Sequence, residues 1–148
     1  MQNNQNTKTY DLEERTLKFS KAILYLCQKL PRNAINFPLI SQIVRSAGSV
    51  GANYREANDA LGKKDFAHRL KIARKEAKET IYWLELMTEV NLGYKEEMDK
   101  LKGECVELRN ILSAIINDVL RGLKVLGFSP KRERHIRIRF IPELKARG

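Results

Sequence analysis

Apolar residues recur at three- and four-residue steps through four long stretches of this 148-residue chain, and its four prolines, Pro31, Pro38, Pro130 and Pro142, stand outside them. Such steps keep side chains on one face of a helix, and a proline in the interior would break it. Long, uninterrupted helices follow. Leu12, Phe19, Ile23, Leu26 and Leu30 mark the first stripe, which Leu17 and Leu24 are expected to widen. That helix should begin near Tyr10, with Asp11, Glu13 and Glu14 against the positive end of its dipole, and stop at Pro31. A second helix is expected from near Pro38, a residue tolerated in a first turn. It carries Ile40, Ile43, Val44, Ala47, Val50, Tyr54 and Leu61, with Gly62 as its stop. The third runs from Lys63 to Asn91 along Phe66, Leu70, Ala73, Ala77, Ile81, Leu84 and Met87, until Gly93. The fourth runs from Lys95 to Leu126 along Met98, Leu101, Cys105, Leu108, Leu112, Ile115, Val119 and Leu123, ending at Gly127 and Pro130.

Helices of roughly 20–30 residues are about 30–45 Å long at about 1.5 Å per residue. Short connections between them make neighbours antiparallel, so the expected fold is all-α, an up-down-up-down four-helix bundle. Hydrophobic residues are 43% of the chain, enough for a core without disulfide or metal staples. The expected organisation is a disordered segment 1–9, a bundle over 10–127 and a basic C-terminal arm over 128–148. No apolar run approaches the roughly 18 residues of a membrane span, and the first residues are polar. The expectation is therefore a cytoplasmic protein with no membrane partner and with Cys27 and Cys105 reduced, a disulfide between them being the lesser alternative.

Net charge is +10, which favours anionic partners without choosing among nucleic acid, anionic lipid and acidic protein. Residues 131–148 hold seven basic residues against Glu133 and Glu143, a net +5. Within this arm, Arg134-His135-Ile136-Arg137-Ile138-Arg139-Phe140-Ile141 alternates basic and apolar side chains, a strand-like period of two. A lone strand is not stable, so the arm must pair, lie on the bundle or order on a ligand. Arg132, Arg134, Arg137 and Arg139 are its candidate phosphate contacts, set against the plainer reading of a solubilising tail. RNA leads as ligand there, followed by augmentation of a partner protein's sheet.

The second helix carries a recognisable stretch, Gln42-Ile43-Val44-Arg45-Ser46-Ala47-Gly48-Ser49-Val50-Gly51-Ala52-Asn53-Tyr54-Arg55-Glu56-Ala57. It resembles the Q-I-x-R-(S/A)-(S/A)-x-S-(I/V)-x-A-N-(I/Y)-x-E-(A/G) signature of the 23S rRNA intervening-sequence proteins, often called simply four helix bundle proteins. Lys64-Asp65-Phe66, Arg74-Lys75-Glu76-Ala77-Lys78-Glu79 and Trp83-Leu84 are similar to that family's third helix. The resemblance covers about residues 10–126 and leaves out the tail beyond Pro130. It implies a four-helix protomer assembled into a ring-shaped homopentamer, in a family for which no enzymatic activity is established. A related accessory protein of diversity-generating retroelements shares the fold and is thought to bind nucleic acid and a reverse transcriptase.

Within the signature, Gly48 and Gly51 sit inside a helix, where each costs about 1 kcal/mol relative to alanine. Close helix packing, within the protomer or between protomers, offsets that cost more readily than a phosphate loop, which needs a strand before it and a Lys-Ser/Thr pair. Arg45, Asn53 and Glu56 read as a structural or subunit-interface hydrogen-bond network ahead of a ligand site. Arg45 and Glu56, eleven residues apart, share a face.

The third helix gathers Lys63, Lys64, Arg69, Lys71, Arg74, Lys75 and Lys78 against only Asp65 and Glu76. Lys71, Arg74, Lys75 and Lys78 fall at i, i+3, i+4 and i+7, on one face. The plain reading is a solvated face with weak Lys75–Glu79 or Arg69–Glu76 pairs. The sharper reading is a phosphate-binding stripe with steep salt dependence and little sequence preference.

Catalysis has little support. His68 and His135 lie on different elements and make no ligand spacing with the cysteines, so neither a metal nor a cofactor is expected. Ser46 and Ser49 have no His/Asp set. Glu96, Glu97, Asp99, Glu104 and Glu107 read as a solvated acidic face. Tyr82 and Trp83 read as core or interface aromatics ahead of base-stacking platforms. The leading expectation is a homo-oligomeric nucleic-acid-binding or scaffolding protein, RNA-directed. An adaptor that docks a partner enzyme such as a reverse transcriptase is the alternative.

Overall fold

The structure, a computed structural model, describes the backbone of residues 11–125 and the side chains of residues 11–122. The segment 1–9 and the arm 128–148, with its alternating stretch, lie outside the described residues, as does the Leu123 side chain. Four helices make up the rest: α1 (Leu12–Lys29), α2 (Asn36–Asn58), α3 (Lys63–Val90) and α4 (Lys95–Val125). A short 3-10 turn, Leu92–Tyr94, joins the last two. Each helix packs on its chain neighbour, and α4 closes back onto α1. Cross-helix contacts run in opposite chain directions. Thus Glu13 meets Asn58 and Ser20 meets Ala47 between α1 and α2, while Ser46 meets Thr80 and Asn36 meets Asn91 between α2 and α3. The expected antiparallel up-down-up-down bundle is the fold.

Local chemistry sets the helix ends. Asp11 is itself the cap of α1, its carboxylate accepting from the amides of Glu13 at 3.0 Å and Glu14 at 3.2 Å. α2 begins two residues before Pro38, because Asn33 serves the orphan donors there. The Asn33 side chain accepts from the amides of Ile35 (3.1 Å) and Asn36 (2.8 Å), and its carbonyl from that of Phe37 (3.1 Å). The other end of α2 departs from expectation. The helix closes at Asn58, Leu61 is 92% exposed, and Gly62 starts α3 by accepting from the Phe66 amide at 2.9 Å.

The core holds Leu12, Ile23, Leu26, Ile43, Val50, Leu70, Leu84, Met87, Met98, Leu108, Leu112 and Ile116, all essentially without solvent contact. Leu17 and Leu24 do not widen the first stripe; they are 43% and 45% exposed. At 3.6 residues per turn both point roughly 120–140° away from the line of Leu12, Phe19, Ile23 and Leu30. That arc lies beyond the reach of α2 and α4.

Buried polar groups pin the register of this apolar core. The side-chain amides of Asn36 and Asn91 exchange hydrogen bonds of 3.0 and 2.9 Å. Asn36 also donates to the Pro31 carbonyl at 2.8 Å and Asn91 to that of Met87 at 2.9 Å. Midway along the seam, the Thr80 hydroxyl donates to Ser46 Oγ at 2.9 Å. Where α1 crosses α2, a Cβ on Gly51 would stand 2.9 Å from Thr16 Oγ1 and 3.2 Å from Thr16 Cβ. Gly51 is therefore the close approach within the protomer. Gly48 is different: a Cβ there meets nothing within 4 Å.

Thr16 cannot step aside easily. It is buried, β-branched and bonded back to the carbonyls of Leu12 (2.7 Å) and Glu13 (3.1 Å). Gly51→Ala is expected to destabilise the protomer by about 1–2 kcal/mol, overpacking outweighing the gain in helix propensity. Urea unfolding monitored by circular dichroism measures this, and an unchanged or raised midpoint would contradict the close approach.

Candidate functional site

The outer face of α3 carries a regular row of cationic side chains. At helical spacing it presents Lys64, His68, Lys71, Lys75, Lys78 and Tyr82, all exposed. Arg69 and Arg74 flank them, half-buried. Lys63 does not share this stripe. It is buried at the helix start and turns toward α4, its Nζ lying 3.8 Å from where a Cβ on Gly122 would be.

Four of the five carboxylates of α3, all but exposed Glu89, are engaged in ion pairs. Arg45 reaches across from α2 and takes both Glu76, at 3.2 Å, and Glu79. Glu85 binds Lys102 of α4 at 3.1 Å. Asp65 holds Arg69 loosely, at 3.7 Å. The pairs Lys75–Glu79 and Arg69–Glu76 that the sequence allows do not form. Lys64, Lys71, Arg74, Lys75 and Lys78 consequently make no ion pair among the described residues. This is the result of geometry: Glu76 and Glu79 lie toward α2, while the lysines point away from both neighbouring helices.

Of the acids of α4, Glu96 and Asp99 are exposed as expected, whereas Glu97, Glu104 and Glu107 are partly covered by cross-helix pairs. Glu104 and Glu107 clasp Arg15 of α1, at 2.7 Å for Glu104 and 3.2 Å for Glu107. Lys29, in the last turn of α1, binds Glu97 at 2.6 Å. These ionic contacts seal the α1–α4 seam. The hydrogen bonds and charges of Glu104 and Glu107 outweigh the opposing effect of burial and raise the Arg15 pKa further, so the guanidinium stays charged.

The signature residues separate into distinct jobs. Arg45 is the latch between α2 and α3, and its partners are Glu76 and Glu79 rather than Glu56. Asn53 donates back to the Ser49 carbonyl at 2.8 Å, within its own helix. Glu56 and Gly48 are exposed, and Glu56 has no partner among the described residues. Tyr82 and Trp83 also part company. Trp83 is half-buried against the core and donates from Nε1 to Glu79 at 3.2 Å. Tyr82 is 55% exposed and meets the Trp83 ring edge-on, with centroids 5.1 Å apart and planes at 67°. The exposed Tyr82 follows the lysines at the same spacing, a continuity present in the sequence that hydrophobic counting hides. The arm residues Arg132, Arg134, Arg137 and Arg139 lie outside the described residues.

Chemistry beyond binding finds no support in this arrangement. Among the described residues no group of three or more His, Cys, Asp or Glu is placed to hold a metal ion, and no helix is long and apolar enough to cross a membrane. Cys27 and Cys105 are free and buried, and burial pushes their thiols up to about 11 and about 12, so neither is an activated nucleophile. An open depression at the α3–α4 turn, lined by Leu92, Gly93, Lys95, Glu96, Asp99 and Lys100, brings together no nucleophile and base.

These features define a small all-helical protein with an ion-latched four-helix bundle and one outward cationic helix face. The chain belongs to the 23S rRNA-intervening sequence protein family, whose model matches residues 8–114. Among solved structures it is similar to a protein of unknown function from the S23 ribosomal protein family of Bacteroides thetaiotaomicron VPI-5482. The two are 36% identical over 71% of this chain and 97% of that one, with a TM-score of 0.66. No curated protein matches the chain.

The Arg45 latch has a pH signature. Partial burial raises the Glu79 carboxyl, but hydrogen bonds from Arg45 and Trp83, with the charges of Arg45 and Lys75, outweigh it and hold the group below its ordinary value. A depressed carboxylate stabilises the fold above its unfolded pKa and loses that contribution as pH falls through the folded pKa. Arg45→Ala should therefore lower the thermal midpoint at pH 7, and the gap to wild type should close in acid, below the ordinary carboxylate range. A gap that stays constant down to pH 2.5 would show that the latch acts through packing alone.

Proposed function

We propose that this protein is a non-enzymatic, cytoplasmic, homo-oligomeric nucleic-acid-binding protein, RNA-directed, that uses the outer face of α3 and the basic C-terminal arm. The observation that carries this reading is the set of α3 cations left without ion pairs while neighbouring carboxylates are held by Arg45 and Lys102. A merely solvated face would be expected to mix its charges. Cations not held in ion pairs are available to phosphates, and each phosphate neutralised releases counterions. Lys64, Lys71, Arg74, Lys75 and Lys78 supply the helix contacts, with Arg69 at the margin and Lys63 behind them. Arg132, Arg134, Arg137 and Arg139 supply those of the arm.

Assembly into a homopentamer is part of the proposal, and Gly48 supports it. A helix-interior glycine costs about 1 kcal/mol relative to alanine. Gly48 has open space around it and no use inside the protomer. A subunit packed against that side of α2, beside Ala52 and Glu56, would account for it. A second reading is an adaptor that docks a partner enzyme through the arm, with exposed Ile35, Phe37, Val90 and Leu92, at the bundle end tied by Asn36 and Asn91, as a further apolar contact. Capture of one specific protein by the full chain, but not by a chain ending near Pro130, would favour this adaptor reading.

Titration of rRNA fragments and duplex DNA at several salt concentrations tests the leading proposal. Affinity is expected to fall steeply with salt. The triple variant Lys71→Ala/Lys75→Ala/Lys78→Ala should flatten the slope of log K against log salt by about 2 on single strands, at about 0.7 per phosphate contact. Absence of binding at low salt would overturn the reading. Native mass spectrometry is expected to give a five-fold assembly that Gly48→Leu dissociates without unfolding the protomer; a stable wild-type monomer would remove the assembly from the proposal.

A further inference from the structure

We infer that the α3 face prefers single-stranded nucleic acid, with Tyr82 as a stacking platform for a base at the end of the lysine track. This inference rests on the nucleic-acid reading above and narrows its ligand. Lys71, Lys75 and Lys78 lead along one exposed face to Tyr82, a span of about 16 Å at about 1.5 Å per residue. The track is bounded. Glu85, next on the face, is tied to Lys102 at 3.1 Å, and beyond it stands exposed Glu89, whose charge repels a phosphate backbone. A strand following the lysines is thus directed to the tyrosine and no farther.

The ring is braced as well as exposed. Tyr82 is 55% exposed and rests edge-on against Trp83, 5.1 Å away. Trp83 is held by Glu79 at 3.2 Å, and Glu79 is held by Arg45. The same latch therefore does two things. It holds the Glu79 carboxylate beyond ion-pair distance of Lys75, and it steadies the indole behind the tyrosine. A preset aromatic platform loses little freedom when a base stacks on it. Such a platform is useless to a duplex, whose bases are already stacked and paired, so that only its phosphates meet the lysines. Unpaired bases have free π-faces, and stacking on an aromatic side chain tolerates any sequence.

The test compares the full chain with Tyr82→Ala and Tyr82→Phe. The probes are a labelled, unstructured 12-nucleotide RNA and the duplex it forms with its complement, titrated at three salt concentrations. Circular dichroism melts check that the variants fold. Tyr82→Ala should bind the single strand roughly ten-fold more weakly, with an unchanged salt slope and unchanged duplex affinity. Tyr82→Phe, which keeps the ring, should match wild type. Equal single-strand affinity for Tyr82→Ala and wild type overturns the inference, and so does an equal loss on the duplex. Poly-glutamate bound with the same dependence on Tyr82 would also overturn it, pointing to an acidic protein partner instead. If wild type binds both RNAs through its lysines but Tyr82→Ala changes nothing, stacking alone fails. If wild type binds neither at low salt, the nucleic-acid reading itself fails.

Discussion

The bundle depends on how closely α2 approaches the helices on both its sides. Toward α1 the contact is Gly51 on Thr16, with the Ser20 hydroxyl donating to the Ala47 carbonyl at 2.9 Å. Toward α3 it is Ser46 on Thr80 at 2.9 Å. Small side chains let backbones come near, and closeness makes short polar groups able to bond across a helix interface. Each hydroxyl or amide buried there must find a partner or lose stability, so the pairs select one register from the several that an apolar seam alone would permit. α3 is treated in the same way by α4, where the buried Cys105 thiol meets the Ala77 carbonyl at 3.3 Å.

The α1–α4 seam is closed by different means. Arg15 and Lys29 bind carboxylates of α4 at the margin of the core, and the backbones of these two helices approach less closely than at the other seams. This division has a surface consequence. Acidic side chains of α3 and α4 are drawn into cross-helix pairs with Arg45, Lys102, Arg15 and Lys29, while the lysines on the outer arc of α3 are beyond reach of those pairs. The cationic face is thus partly a by-product of how the bundle latches itself. A protein with the same composition but with Glu76 and Glu79 turned onto the lysine face would show a less positive one.

The helices and nearly the whole core were legible in the sequence, because a period of three or four residues reports burial directly. Ile23, Leu26, Ile43, Leu70, Leu84 and Met98 are found in the core. The same period does not report which neighbour covers which arc, and there the reading fails. Leu17 and Leu24 look like stripe residues but face away from both flanking helices, and Leu61 sits in the α2–α3 loop. Gly62 was legible as a boundary, although it begins a helix instead of ending one. Of the expected polar network only Arg45 bonds across a helix interface, while Asn53 bonds within its own helix and Glu56 has no partner among the described residues. Arg45 shares a face with Glu56 by spacing, yet its guanidinium finds Glu76 and Glu79, which are thirty-odd residues away and become near only once α2 and α3 are antiparallel. Periodicity belongs to one helix; pairing belongs to two.

The reciprocal amide bridge between Asn36 and Asn91 joins the two inter-helix connections at one end of the bundle, since Asn36 also grips the carbonyl of Pro31. At the opposite end Asn58 donates to Glu13 at 2.9 Å and Lys63 is buried, but Leu61, in the α2–α3 loop between them, stands in solvent. Local opening should then be graded along the bundle axis. Amide hydrogens near Met87 and Asn91 exchange with solvent only when several buried bonds break together, whereas those of Ala60 to Gly62 exchange through small excursions.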